Sequence, residues 1–246
     1  MNVVFAGYRA WSYNIVKTLL ETENKAWQIK TILTTKDAES PFHNLNTNCL
    51  TLDPQNVNTQ EFLTTLAEIK PDALLFFGWS WIIPKEVYTK YLCLILHPSP
   101  LPKYRGGSPL QHQIINGETT SAVTILEAGE KIDAGDIYAQ NPILLEGTLD
   151  DVFKRIVDVG TDATINVLDG IASKTITPTT QDETEATVFK RRLPTESELT
   201  IEDLQTKTST ELYNFIRALS HPYPNAFIQC KDGKKLYFTD AQIDKE

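Results

Sequence analysis

The chain has 246 residues, 41% hydrophobic, 22% charged and 9% aromatic, the proportions of an ordinary folded protein long enough to bury a core. Thirty-two acidic against 23 basic residues leave a formal net charge of -9, so the long-range field repels nucleic acid and anionic membrane, and any phosphate must be bound locally. Cys49, Cys93 and Cys230 form neither a disulfide framework nor a zinc pattern, the N-terminus lacks a secretion signal and no apolar run reaches membrane-spanning length, so a cytoplasmic protein without a metal is expected.

Val3 to Gly7 is a β-branched and aromatic run ending in glycine, and apolar positions at helical spacing follow from Ser12 to Leu20, which predicts strand, tight loop and helix. Ile29 to Leu33 and Cys49 to Leu52 read as strands, and Glu61 to Ile69 as a helix that stops before Pro71. Ala73 to Phe77 is apolar on both faces, as a strand buried in a parallel sheet must be. Strands alternating with helices predict a doubly wound, Rossmann-like α/β domain with a mostly parallel sheet. Leu92 to Leu96 is another such strand and delivers His97 to its carboxyl end, the side on which these sheets bind ligands. After a turn-rich loop Pro109 opens a helix, Ala122 to Leu126 and Ile137 to Leu145 read as strands, and an amphipathic helix runs from Asp150 to about Leu168. This domain is expected over residues 1–172. Residues 173–189, rich in Thr, Ser and acids, read as a linker or an extended surface crossing. Residues 190–246 are expected to form a small α+β region, with a helix from Glu211 to Leu219 and a hairpin turning at Lys231-Asp232-Gly233.

Imidazole accepts and donates protons near neutral pH, and His97 at a strand end has the placement of a proton-transfer group or of a hydrogen-bonded turn residue. Asp133-Ala134-Gly135-Asp136 sets carboxylates in a glycine turn, where one would orient an imidazole or bond its own backbone. Lys103 and Arg105 beside Gly106 and Gly107 suit a phosphate or plain solvation, and the loop carrying Tyr8 and Arg9 is a candidate anion site that lacks the dinucleotide glycine pattern. Phe77 to Ile83, with Trp79 and Trp81, suits the wall of a flat, apolar cleft or a core.

The ordered set from His97-Pro98-Ser99-Pro100-Leu101-Pro102-Lys103-Tyr104-Arg105-Gly106-Gly107-Ser108-Pro109, through Gly117-Glu118 and Val123-Thr124-Ile125, to Asp133-Ala134-Gly135-Asp136-Ile137 resembles the formyltransferases that use N10-formyltetrahydrofolate. The stretches Lys190 to Ser197 and Ile216 to Phe227 look like the C-terminal region of the sugar N-formyltransferases. The resemblance implies formyl transfer to the amine of a dTDP- or UDP-linked amino sugar in surface-glycan biosynthesis, with His97 and Asp133 catalytic. It implies a donor site at Trp79, Ser80, Trp81, Ile82, Ile83, Ile132 and Asp133. The acceptor would meet Tyr8, Arg9, Lys103, Tyr104, Arg105, Gly106, Gly107, Ser108 and Tyr223, and the chain would form a homodimer. The family's Asn two residues before the histidine, which polarises the formyl oxygen, is here Ile95; one such donor supplies on the order of 3 kcal/mol of transition-state stabilisation. Gln111, His112, a backbone amide or a water is expected to substitute. A hydrolase releasing formate from the same donor, or a non-catalytic binder of folate or nucleotide sugar, are the alternatives.

Overall fold

The computed structural model describes residues 1–23, 25–53 and 60–244. The strands in chain order are β1 (Asn2–Ala6), β2 (Gln28–Thr35), β3 (Asn48–Leu52), β4 (Ala73–Phe77), β5 (Leu92–His97), the two-residue β6 (Arg105–Gly106), β7 (Thr120–Glu127) and β8 (Ile137–Leu144). Seven of them build one sheet in the order β3-β2-β1-β4-β5-β7-β8, parallel from β3 to β5 and antiparallel from β5 to β8. The expected doubly wound α/β architecture is therefore present. The chain leaves β1 in one direction and returns to β4 on the other side, so a crevice opens at the carboxyl ends of β1, β4 and β5. Those ends carry Gly7 to Arg9, Gly78 to Trp81, and His97.

Helix α1 (Ala10–Glu21) buries Ser12, Ile15, Val16 and Leu19, the i, i+3, i+4, i+7 stripe that packs it on the sheet. Helices α2 (Gln60–Ile69) and α3 (Lys85–Tyr88) cover the opposite face, where Phe62, Leu66 and Val87 meet Val4, Leu74 and Phe76. Helix α4 (Pro109–Ile115) follows the loop after β5, and α5 (Leu149–Ser173) packs against α1, β7 and β8 through Val152, Ile156, Ala163 and Val167. It extends past Leu168 to Ser173, where Lys174 adopts a left-handed φ of 58° and ends the helix.

Residues 173–189 then run extended across the domain. Ile137 and Thr179 exchange backbone hydrogen bonds of 2.8 Å each, and β9 (Val188–Phe189) pairs in parallel with β6. The remaining residues form α6 (Ile201–Thr206), α7 (Ser209–Ala218) and the hairpin β10 (Ala226–Gln229) with β11 (Lys235–Phe238), around a small core of Leu199, Leu219 and Ala226. Helix α7 packs on α4, and Arg217 Nη1 donates to the Leu145 carbonyl at 2.6 Å, which docks this unit on the sheet domain. Among the described residues no helix is long and apolar enough to cross a membrane, and no cluster of His, Cys, Asp and Glu is arranged to hold a metal ion.

Three helices start with the same reciprocal cap: Thr148 with Asp151, Thr200 with Asp203, and Thr208 with Glu211. Hydrogen bonds from the threonine side chain and backbone hold each carboxyl below its usual range. A depressed folded-state pKa contributes stability that is complete above the unfolded value, about 4, and is lost as pH falls through the folded one. Thr148→Ala is expected to destabilise the protein by about 1 kcal/mol at pH 7. In thermal melts its difference from the parent should shrink as the pH is lowered from 5 to 2.5.

Candidate active site

Strand β5 is apolar because both its neighbours and both sheet faces bury it, and its last residue, His97, is itself buried, 6% exposed. The loop behind it is pinned from three elements. Thr124 of β7 donates to the Ser99 carbonyl at 2.6 Å, Gln140 of β8 to that of Leu101 at 2.9 Å, and Gln113 of α4 to that of Pro98 at 2.9 Å. Tyr104, at a left-handed φ of 60°, turns its carbonyl oxygen to within 2.8 Å of His97 Nε2. A carbonyl only accepts, so Nε2 carries the hydrogen and, in the neutral ring, Nδ1 is the nitrogen left with a lone pair. Nδ1 faces Asp133 Oδ2 at 3.5 Å.

Asp133 lies in the loop between β7 and β8 at a left-handed φ of 51°, and its Oδ2 accepts the Gly106 N–H at 2.8 Å. Gly135 lets this loop close onto β7, since a Cβ there would overlap the Glu127 carbonyl oxygen. Gly106 and Gly107 leave the same kind of space for the C-terminal chain: a Cβ on either would overlap the backbone of Phe189 or Arg191. The segment 188–192 is thereby built into the site.

His97 and Asp133 lie on a cleft of about 1230 Å³. One wall carries Trp79, Ser80, Trp81, Ile82 and Ile83, and Ile132 lines the same cleft. The Tyr8 ring packs 5.0 Å from that of Trp81 while its hydroxyl shares a 2.7 Å hydrogen bond with Ser80, so Tyr8 supports this wall from behind. Ile82 and Ile132 are 72% and 59% exposed, an apolar pair open to the cleft and suited to a flat heterocycle. Gly106, Gly107, Ser108, Tyr223 and Lys190-Arg191-Arg192 also line the cleft, and Arg191 Nη2 donates to the Ser80 carbonyl at 3.1 Å. Arg9 borders the cleft with its guanidinium paired to Glu39, whose second oxygen accepts the Ala10 N–H at 3.0 Å. Burial works against the Arg9 charge, but Tyr8, Glu39 and Tyr223 outweigh it and raise its pKa.

Several expected acceptor contacts require correction. Lys103 is exposed outside the cleft. Tyr104 is buried, its ring stacked on Phe189 with centroids 5.0 Å apart and its hydroxyl donating to Glu118 at 2.9 Å. Arg105 is 4% exposed, and four of its five N–H donors are committed to Gln181 and Glu183, so it is spent within the chain rather than offered to a phosphate. Neither suggested substitute for the family Asn reaches the cleft wall, which Ile95 does line. His112 is packed on Phe189 with Nε2 on the Lys190 carbonyl at 3.0 Å. Gln111 is buried beneath Tyr223, whose hydroxyl it faces without completing a geometrically sound hydrogen bond. Burial raises the Tyr223 pKa, opposed by Gln111 and Arg9. Glu39, Gln181 and the cleft position of Lys190 to Arg192 were missed, because each depends on contacts between residues far apart in the chain.

Residues 9–168 match the family model described as "Formyl transferase", and the chain belongs to that family. Methionyl-tRNA formyltransferase of Lysinibacillus sphaericus is 37% identical over 188 residues, 74% of this chain and 58% of that protein. Among solved structures, methionyl-tRNA formyltransferase from Clostridium thermocellum superposes with a TM-score of 0.77 at 29% identity, covering 99% of this chain and 94% of that one. A 4-N formyltransferase from Francisella tularensis gives 0.80 at 20% identity, covering 100% and 98%. HypX from Aquifex aeolicus in complex with tetrahydrofolic acid gives 0.73 at 20%, covering 97% and 37%.

The buried His97–Asp133 pair sets the first test of the site. His97→Ala and Asp133→Asn are each expected to lower kcat for formyl transfer by about 10²-fold or more while the melting temperature stays near that of the parent. Steady-state rates and thermal melts on the same preparations check this.

Proposed function

We propose that this protein transfers the formyl group of N10-formyltetrahydrofolate to the amino group of a nucleotide-linked amino sugar, carried by dTDP or UDP. The observation that carries the reading is Lys190-Arg191-Arg192 lining the same cleft as Trp79 and Trp81, in a chain of net charge -9. Such an arrangement attracts a diphosphate over a few ångströms and repels a long polyanion at a distance. The acceptor wall also comprises Gly106 to Ser108, Arg9 and Tyr223, and the donor is held by Trp79, Trp81, Ile82, Ile83 and Ile132. The donor supplies the formyl carbon on a nitrogen leaving group. His97 Nδ1 takes the proton released by the attacking amine, the Asp133 carboxylate stabilises the resulting imidazolium, and the same proton is returned to the departing nitrogen. Asp133 needs no proton of its own in this cycle.

A second reading, methionyl-tRNA as acceptor, is favoured by the 37% identity to the Lysinibacillus enzyme. The deciding experiment supplies the donor with dTDP- and UDP-linked amino sugars or with charged initiator tRNA, and follows tetrahydrofolate release and product mass. One added formyl group on a sugar supports the proposal; formylation of the tRNA alone, formate release without acceptor, or binding without turnover replaces it. In the active pairing, Ile95→Asn is expected to raise kcat by up to about 10²-fold by restoring a donor to the formyl oxygen. An unchanged kcat would show that another group already polarises it. We also place a homodimer contact on the hairpin, where Leu236 and Tyr237 are 55% and 54% exposed. Light scattering should then give twice the chain mass of 27.7 kDa, and Tyr237→Asp should return the monomer.

A further inference from the structure

The geometry points to Gln181 as a positioning residue that fixes Asp133 for its work on His97, with Arg105 as its anchor. This rests on the role given above to the His97–Asp133 pair. Gln181 is 7% exposed, and its side-chain amide is fully used in one orientation. Its Nε2 donates to the Asp133 carbonyl at 3.0 Å and to the Gly135 carbonyl at 2.7 Å. Its Oε1 accepts Arg105 Nε at 3.1 Å and Nη2 at 2.8 Å. A guanidinium only donates and a carbonyl only accepts, so no amide flip satisfies these four partners. Arg105 is held in turn by two hydrogen bonds to the Glu183 carboxylate, 3.2 and 2.8 Å.

Asp133 requires such support. Its left-handed φ of 51° is a conformation that non-glycine residues adopt at a cost and keep only when their surroundings impose it. The side chain is fixed by one bond, from Gly106 N–H, and the backbone by Gln181. Both fixings originate in the dipeptide Arg105-Gly106, the first from the Gly106 amide and the second through the Arg105 guanidinium. The same dipeptide follows Tyr104, whose carbonyl sets the His97 tautomer. Residues 104–106 and Gln181 therefore tie the imidazole and the carboxylate to one rigid reference. The preceding residues are tied to the same turn by the Ala134 N–H, which donates to the Lys131 carbonyl at 3.4 Å.

The test reads His97 directly and needs no acceptor. The chain has four histidines, few enough to resolve individually as ¹⁵N-labelled imidazoles. Asp133→Asn defines how the His97 signals respond when the carboxylate charge is lost. Gln181→Met, close in size and without polar atoms, should move the His97 signals in the same direction and leave those of His43 and His221 in place. Gln181→Glu keeps an acceptor for Arg105 but lacks both N–H donors, so it should behave like Gln181→Met. His97 signals unchanged from the parent in both variants, or shifts spread over all the histidines, would overturn the inference. With a turnover assay in hand, Gln181→Met should lower kcat tenfold or more with the donor KM within twofold, and cost less than twofold in an Asp133→Asn background. Equal losses in both backgrounds would show that Gln181 does not act through Asp133, leaving formyl transfer intact. A parent without turnover would remove the proposed reaction, while the imidazole signals still decide the role of Gln181.

Discussion

Gly106 serves two contacts at once. Its N–H reaches the Asp133 carboxylate, while the space a side chain would fill is taken by the Phe189 backbone. That close approach and a φ of 93°, which L side chains rarely adopt, are what restrict the position to glycine. The first contact holds the partner of His97 and the second the segment 188–192, so in the proposed reaction one peptide would couple proton transfer to the acceptor surface. The C-terminal segment is consequently packed into the cleft: Phe189 lies against Gly106 and Arg191 against Gly107.

The legibility of this protein in its sequence follows the range of the interactions involved. β4 and the apolar part of β5 declare themselves because burial on both faces leaves a continuous hydrophobic run, and α1 because burial on one face leaves a stripe. His97 and Asp133 were identifiable from the resemblance, and the structure brings them within 3.5 Å. Residues 173–189 carried no such sign. They are held by backbone pairing at Thr179 and Val188 and by the side chains of Gln181 and Thr187, and neither kind of bond leaves a hydrophobic period to be read. Arg105 misled for a related reason: a basic residue next to two glycines has the composition of a phosphate loop, and only the fold reveals that Gln181 and Glu183 already occupy its donors.

Charge in the cleft is placed unevenly. Glu39 occupies the N-terminus of α1 and the Arg9 guanidinium together, so the anion-binding capacity of that helix end is met from within the chain. Among the described residues the basic run 190–192 makes no ion pair, although the Glu196 carboxylate acts on Arg192 through space. Arg191 bonds the Ser80 carbonyl at 3.1 Å and Arg192 lies over the Phe215 ring, contacts that orient both guanidinium groups and leave their charge in place. Burial of Arg192 lowers its pKa, which for a guanidinium still leaves it protonated. The C-terminal segment therefore adds three cationic side chains to a cleft that Lys85 and Lys131 also line.

Ile95 changes how the catalytic work is divided. It pairs in register with Phe76 on one side and Leu126 on the other, and packs in the same apolar cluster as Trp79 and Ala128. An isoleucine there gives no hydrogen bond to a developing oxyanion, but it keeps water from the sheet end on which His97 stands. Drying a site strengthens each remaining electrostatic interaction, since the attraction between charges scales inversely with the local dielectric. The interaction so strengthened is the one between an imidazolium at His97 and the Asp133 carboxylate. In the proposed reaction, stabilisation that a side-chain donor would give to the oxygen would thus be shifted onto the His97–Asp133 pair. A site organised this way depends more on the exact placement of the carboxylate, and four hydrogen bonds through Gln181, with the fifth from Gly106, are committed to that placement.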